Sequence, residues 1–592
     1  MKHIKKKLFL IIFCIVLNGC SALQQAGPDE NLLPELEKQE NYQLDSGSES
    51  VPNVPVQKIQ QISGIMSDGC AYVLYTDGEL VISGNSVTQK IAEDPMLSNY
   101  LDSITSLKFG ENVTSIGKAV CEKLKIQSVS FHNDVKEIGD SAFSDCVQLS
   151  EIEFGAGVQR IGSYAFSGCT ALKDLTISDY IELIEEYAFS GCTTLKNLVL
   201  GCVLQEIGTG VFNECPALTD VVINADLPED VFRNCTTLKN IILGGNVTHV
   251  GNRAFMGCSA LQKVTFFPNV IKIGEYAFAD CVSLHHVEFP ENLEEISSYA
   301  FTGCNMLSRL TFPESLQTIA ENAFSSCIGL NDLIFPENGS IIVGTNAFSD
   351  CTGLKHIRFT GVAKIENYAF SSCSGITDLV FTDSLSEIGM QAFQNCSMLS
   401  SLTFPQTGNI QIKNNAFSGC VGIRTLTLDK SVTTVESYAF SGCSMLENAF
   451  IGKNVITMGE EIFTGCSSLK SVTISCPKIG NKAFQNCTSL TTIHFENVTH
   501  IGESSFEGCI SLTKVDIPEG ITHIGQKAFA ECNSMQSIIL PKSLKRVCYG
   551  FVYDDYALTE IKYRGTTSQW SNVTREENWA TNINVEEVIC EE

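Results

Sequence analysis

Positive charge is scarce in this sequence. Its 592 residues carry 39 Lys and Arg against 67 Asp and Glu, a formal net charge of -28. A chain this acidic gains nothing by displacing counterions from phosphates, which excludes nucleic acid as a partner class. Long apolar runs are missing too: beyond the first twenty residues no stretch is long and apolar enough to cross a bilayer. Catalytic signatures are also absent. There is no Gly-x-Ser-x-Gly elbow, no His-Glu-x-x-His and no P-loop. Cys-x-x-Cys and paired Cys/His spacings do not occur either, so no enzyme, cofactor or metal site is expected.

What is present is a period. Eighteen times a Phe is followed three residues later by a Cys, from Phe143/Cys146 to Phe529/Cys532, with 20 to 24 residues between successive cysteines. A period of this length means a solenoid, whose units bury their apolar faces only by stacking. Within one unit, Leu172, Leu175 and Ile177 follow Leu-x-x-Leu-x-Leu, and Leu175 and Ile177 alternate with Thr176 as in a half-buried strand. Pro290, Pro313, Pro336 and Pro405 mark strand ends. A second extended piece ends in Ile-Gly, and Ala-Phe-x-x-Cys then turns the chain, as an expected short helical segment. Ala precedes the Phe in fourteen copies, with Val211, Val231, Ile462 and Ser505 as the exceptions. The fold class is therefore an α/β solenoid, a superhelix of about 18–20 coils with short parallel strands, capped at both ends because end coils would expose apolar core.

An exported chain with 26 Cys invites a disulfide reading. The ladder cysteines repeat at one position, however, and stacked copies point the same way instead of toward each other. They are expected to be buried thiols acting as small hydrophobes. Cys70, Cys121, Cys202, Cys476, Cys548 and Cys590 stand outside the ladder and are left unassigned.

The N-terminus reads as an export signal over residues 1–20. Lys2, Lys5, Lys6 and Lys7 precede a short apolar run from Leu8 to Val16. Leu17-Asn18-Gly19-Cys20 resembles the bacterial lipobox, which implies cleavage before Cys20 and lipidation of it. Residues 21–57, with Pro28, Pro34, Pro52 and Pro55 and many acidic residues, form an expected flexible acidic tether. The folded part divides into an N-terminal hairpin cap at 58–100, the solenoid at 101–562 and a C-terminal cap and tail at 563–592.

The pattern Ile-Gly-x-x-Ala-Phe-x-x-Cys-x-x-Leu-x-x-Leu/Ile-x-Phe-Pro, over roughly residues 101 to 565, resembles the BspA-like, or Treponema pallidum-type, leucine-rich repeats. Gly78-Glu79-Leu80-Val81-Ile82-Ser83-Gly84 and Tyr563-Arg564-Gly565-Thr566-Thr567-Ser568-Gln569-Trp570 look like that family's two caps. The resemblance implies a lipid-anchored, surface-exposed protein of the cell envelope. Its implied role is adhesion, by binding host matrix or plasma proteins, or glycans, or neighbouring cells.

Two columns are candidate binding surfaces. Seven residues after each ladder Cys lies the exposed strand position. Thr recurs there, but Val199, Val222 and Ile242 occupy three consecutive coils as an apolar strip of the kind reserved for partners. Two residues earlier the column runs Lys263, His286, Arg309, Asp332 and His356, and with His285 and Arg358 beside them its cations form a basic cluster suited to an acidic loop or sulfated glycan. A covering loop or strand propensity also accounts for the first column, and ordinary solvated charge for the second. A structural coat or spacer role without a foreign ligand stands beside the adhesion reading.

Overall fold

The computed structural model describes residues 58–591. The leader, Cys20 and the tether lie outside the described residues. The described chain clusters into two compact units. One holds the residues up to Ala254 together with Thr265–Asn269, and the other holds Phe255–Val264 and the residues from Val270 onward.

Both units are built from one kind of coil, and the described residues make about 22 turns of about 23 residues. Successive coils add short strands to two rows of parallel strands, each row broken into several sheets. In the first unit, an antiparallel hairpin of Ala71–Tyr75 and Glu79–Ser83 opens the array. Parallel strands follow at Ser106–Phe109, Ser128–Phe131 and Glu151–Glu153, and then at Asp174–Thr176, Asn197–Val199, Asp220–Ile223 and Asn240–Leu243. Their inward residues, such as Leu107, Val129 and Leu175, are buried while the alternating ones face out. The second unit repeats the plan and ends on Glu560–Tyr563 and Val588–Cys590. There the helix Thr567–Ser571 is fixed by a capping box between Thr566 and Gln569, and it buries Trp570 against Tyr563.

The solenoid is as expected, but Ala-Phe-x-x-Cys is a turn and not a helix. In all eighteen copies the residues two before and two after the Phe have positive φ; around Phe166 these are Tyr164 at 58° and Gly168 at 73°. A helix needs an unbroken right-handed run, and two left-handed residues per turn forbid one. They turn the backbone groups along the stack instead. The N–H groups of Ser141, Phe143 and Asp145 donate to the carbonyls of Ser163, Ala165 and Ser167 one coil on, at 2.8, 2.7 and 2.7 Å.

The Phe side chains are wholly buried and stack ring on ring, at 5.0–5.8 Å from Phe143 to Phe232 and 5.0–5.7 Å from Phe255 to Phe529. The ladder cysteines are buried thiols with a further task. In the first unit Cys169, Cys192, Cys215 and Cys235 each donate Sγ–H to the carbonyl of the Phe one coil back, at 3.3–3.4 Å. In the second unit twelve cysteines from Cys281 to Cys532 do the same at 3.0–3.5 Å. Cys is therefore a donor here as well as a small apolar filler.

The count of coils exceeds the number of Phe-x-x-Cys copies because flanking coils substitute at both positions. Before the first copy, Cys121 stands at the Phe place and Leu124 at the Cys place, and the Cys121 carbonyl receives the Cys146 thiol at 3.1 Å. After the last copy, Val552 and Asp555 hold the two places, again between left-handed residues, Gly550 and Asp554. Where a Pro adjoins the second strand position, Pro228 after Leu227 and Pro477 before Lys478, the second sheet is interrupted. Only isolated bridges remain, Leu227↔Val250 in the first unit and Lys478↔His500 in the second.

Candidate functional site

The site begins with a shortened coil. Cys215 and Cys235 are 20 residues apart, so after Ile223 the chain passes directly through Asn224-Ala225-Asp226 into the bridge residue Leu227. The preceding coil has the longer turn Gly201-Cys202-Val203-Leu204, anchored by Asp179 Oδ1, which accepts the Cys202 N–H at 2.8 Å. The two coils no longer run in step, and the strand sheet parts between them. Asn197–Val199 pairs with Asp174–Thr176 over three residues, and Asp220–Ile223 with Asn240–Leu243 over four. Between the parted pair the register holds at one residue, Asn197↔Asp220.

The parting leaves a groove of about 620 Å³. Val199, Val222 and Ile242 are half-buried on its floor, and so is Leu200. Leu200 stands at a position where Ile177, Ile223 and Leu243 are buried to 1% or less, so the seam brings a core-type leucine to the surface. The groove's lining includes Asp179 and Asp220 against a single cation, Lys196, and contains no aromatic ring. Asp220 Oδ1 accepts from Asn240 Nδ2 at 2.7 Å, and Asp174 likewise accepts from Asn197 Nδ2. The Ser178 hydroxyl oxygen in the wall is buried without a partner.

Sequence reasoning named the three apolar residues but not the groove. The shortened repeat was a visible signal; that it would part the sheet and expose Leu200 was not.

The basic column lies on strands of the second unit, where Lys263, His286, Arg309, His356 and Arg358 are all exposed. The structure brings carboxylates to three of them. His286 Nε2 meets Glu288 at 2.9 Å, Arg309 Nε meets Asp332 at 3.3 Å and His356 Nδ1 meets Asp378 at 2.7 Å. The His286 contact holds the Glu288 carboxyl below its usual range. Among the described residues no ion pair joins Lys263 or Arg358 to a carboxylate. The cluster is thus quieter than its sequence suggests, since Asp332 and Asp378 sit one coil beyond the cations they meet. Among the described residues no group of three or more His, Cys, Asp or Glu is placed to hold a metal ion, and no helix is long and apolar enough to cross a membrane.

The chain matches the family described as the BspA-type leucine-rich repeat region (six copies) over residues 96–219, 225–355, 330–447, 363–477 and 474–574. No curated protein matches it. Among solved structures it is similar to a leucine-rich repeat protein from Bacteroides ovatus, with 22% identity over 81% of this chain and 94% of that one, TM-score 0.26. A leucine-rich cell surface protein from Faecalibacterium prausnitzii shares 20% identity over 87% and 98%, TM-score 0.21. The T. pallidum leucine-rich repeat protein shares 21% over 39% and 90%, TM-score 0.24. These superpositions carry no argument of their own. The repeat match spans most of the chain, with its coil, Phe stack and thiol ladder all in place, and so the chain belongs to the BspA-type leucine-rich repeat family.

Proposed function

We propose that this chain is a binding protein of the cell envelope, lipid-anchored through Cys20 and exposed at the surface. In this reading its strand face recognises a protein or glycan of a host or a neighbouring cell. Leucine-rich repeat architecture points to protein interaction and is generally non-enzymatic. The observation that carries the reading is the groove, in which three consecutive coils present apolar side chains and the sheet opens beneath them. A concave, largely apolar surface with a few polar groups at its edge is how proteins hold ligands.

The test is binding of the full chain to immobilised matrix proteins, plasma proteins and sulfated glycans, beside a variant carrying Val199→Thr, Val222→Thr and Ile242→Thr. Binding by the wild type that is lost in the variant supports the reading. Binding by both moves the site to the Lys263–Arg358 column. Silence across the panel favours a self-associating coat. That second role has an observation of its own. Val282, Met306 and Ile328, in three consecutive coils of the second unit, are 38%, 58% and 53% exposed.

A further inference from the structure

The groove's chemistry is narrower than "protein or glycan". A sugar ring is held by stacking on an aromatic face, and no aromatic lines this groove. A sulfated or otherwise anionic glycan needs cations, whereas here Asp179 and Asp220 outnumber Lys196. What the seam does offer is a row of aliphatic side chains beside backbone that has lost its lateral partner. After Asn197↔Asp220 no register pair joins the two strands, although their outer neighbours remain paired over three and four residues. Leu200 exemplifies this: no hydrogen bond engages its N–H, while the N–H of Ile177, the equivalent residue one coil earlier, donates to the Val199 carbonyl at 2.9 Å. Unpaired strand backbone beside apolar pockets is the ground on which an extended polypeptide docks, with main-chain bonds giving affinity and alternate side chains giving selectivity.

We propose that the seam is a receptor for an extended polypeptide segment with aliphatic side chains and at least one basic residue. The aliphatic residues seat against Val199, Leu200, Val222 and Ile242, and the basic residue faces Asp220 or Asp179. The proposal rests on the reading that this face is a binding site, and it specifies the partner as an unfolded or strand-like segment.

The test pans a random twelve-residue peptide library, displayed on phage, against the full chain and against Val222→Arg, which fills the seam and repels a cation. Val222 is half-buried, and unchanged circular dichroism and thermal unfolding establish that the variant folds. Enriched sequences are expected to be rich in Val, Ile, Leu and Thr with Lys or Arg. A synthetic peptide of the leading sequence is expected to bind the wild type at least tenfold more tightly than Val222→Arg. Asp220→Lys is expected to abolish the preference for basic peptides. The proposal is overturned if no sequence is enriched on the wild type over Val222→Arg, or if enriched peptides are acidic. If folded proteins or glycans from the panel bind in a Val222-dependent way while the library yields nothing, the extended-segment assignment fails and the groove stands as a binding site.

Discussion

Asp555 is the ladder residue that went differently, and its protonation should be readable in the stability of the C-terminal cap. It occupies the place of the ladder Cys in the coil after Cys532, it is wholly buried, and neither carboxylate oxygen has a hydrogen-bond partner. Burial pushes its pKa up to about 8, with the negative neighbours Asp554 and Glu531 adding to the effect. In the unfolded chain the same group titrates near 3.9. Between these two values the folded state holds a proton that the unfolded state has released, so stability falls as pH rises. The slope is about 1.4 kcal/mol per pH unit, which over about four units amounts to roughly 6 kcal/mol. The loss is complete a little above pH 8, while below about pH 4 the full stability is present. The sequence supplies its own probe: Trp570 and Trp579 are the two tryptophans of the chain, and both lie in this cap. Urea unfolding followed by tryptophan fluorescence is expected to show a midpoint that drops steadily from pH 5 to pH 8.5 in the wild type. In Asp555→Asn, which cannot ionise, the midpoint is expected to be nearly flat. A wild-type midpoint independent of pH, or a variant that slopes as steeply, would refute the reasoning.

Two further outcomes follow from the coil. The ladder thiols are buried, and burial pushes Cys327 up to about 12; iodoacetamide at pH 8 is therefore expected to leave the ladder unmodified in the native chain and to label it once the chain is unfolded, as read by peptide mass mapping. Gly442 has φ 73°, and a Cβ there would make only ordinary van der Waals contact with the Gly419 backbone, 3.8 Å away, so Gly442→Ala should cost about 1 kcal/mol through backbone strain alone. Gly442→Asn should cost less, because Asn395 and Asn486 hold the same left-handed position elsewhere; a urea series on the two variants decides it.

The period of Phe and Cys made the solenoid legible, because stacking turns a sequence repeat directly into a spatial one. The handedness of the turn was legible too and was passed over. The residue two after each Phe is Gly, Asp, Asn, Ser or Glu throughout, as at Gly168, Asp280 and Asn395, a set weighted toward residues that tolerate positive φ. Ala and Phe beside it suggested a helix, and tertiary hydrogen bonding to the next coil prevailed over that local preference. The end coils escaped because Cys121 and Val552 stand in for Phe. The partners of Arg309 and His356 lie one period on, at Asp332 and Asp378, so the pairing needed the register and not only the column. The seam needed both the missing residues near Asp226 and the response of the sheet, and only the first is written in the chain.

The thiol ladder and the turn ladder also set how such a chain can change over generations. Within each unit the joints between successive Phe-x-x-Cys coils use the same few atoms: a Phe carbonyl receiving a thiol from one side, and alternate N–H groups reaching carbonyls on the other. The spacing between ladder cysteines varies from 20 to 24 residues without disturbing those atoms, because the slack falls in the loops. A whole coil is therefore an interchangeable part. Duplicating or deleting one rebuilds joints identical to those lost, whereas removing half of one leaves a thiol and a row of amides facing nothing. The array is built to lengthen and shorten in steps of one coil, between end coils that cannot be copied inward without breaking the ladder.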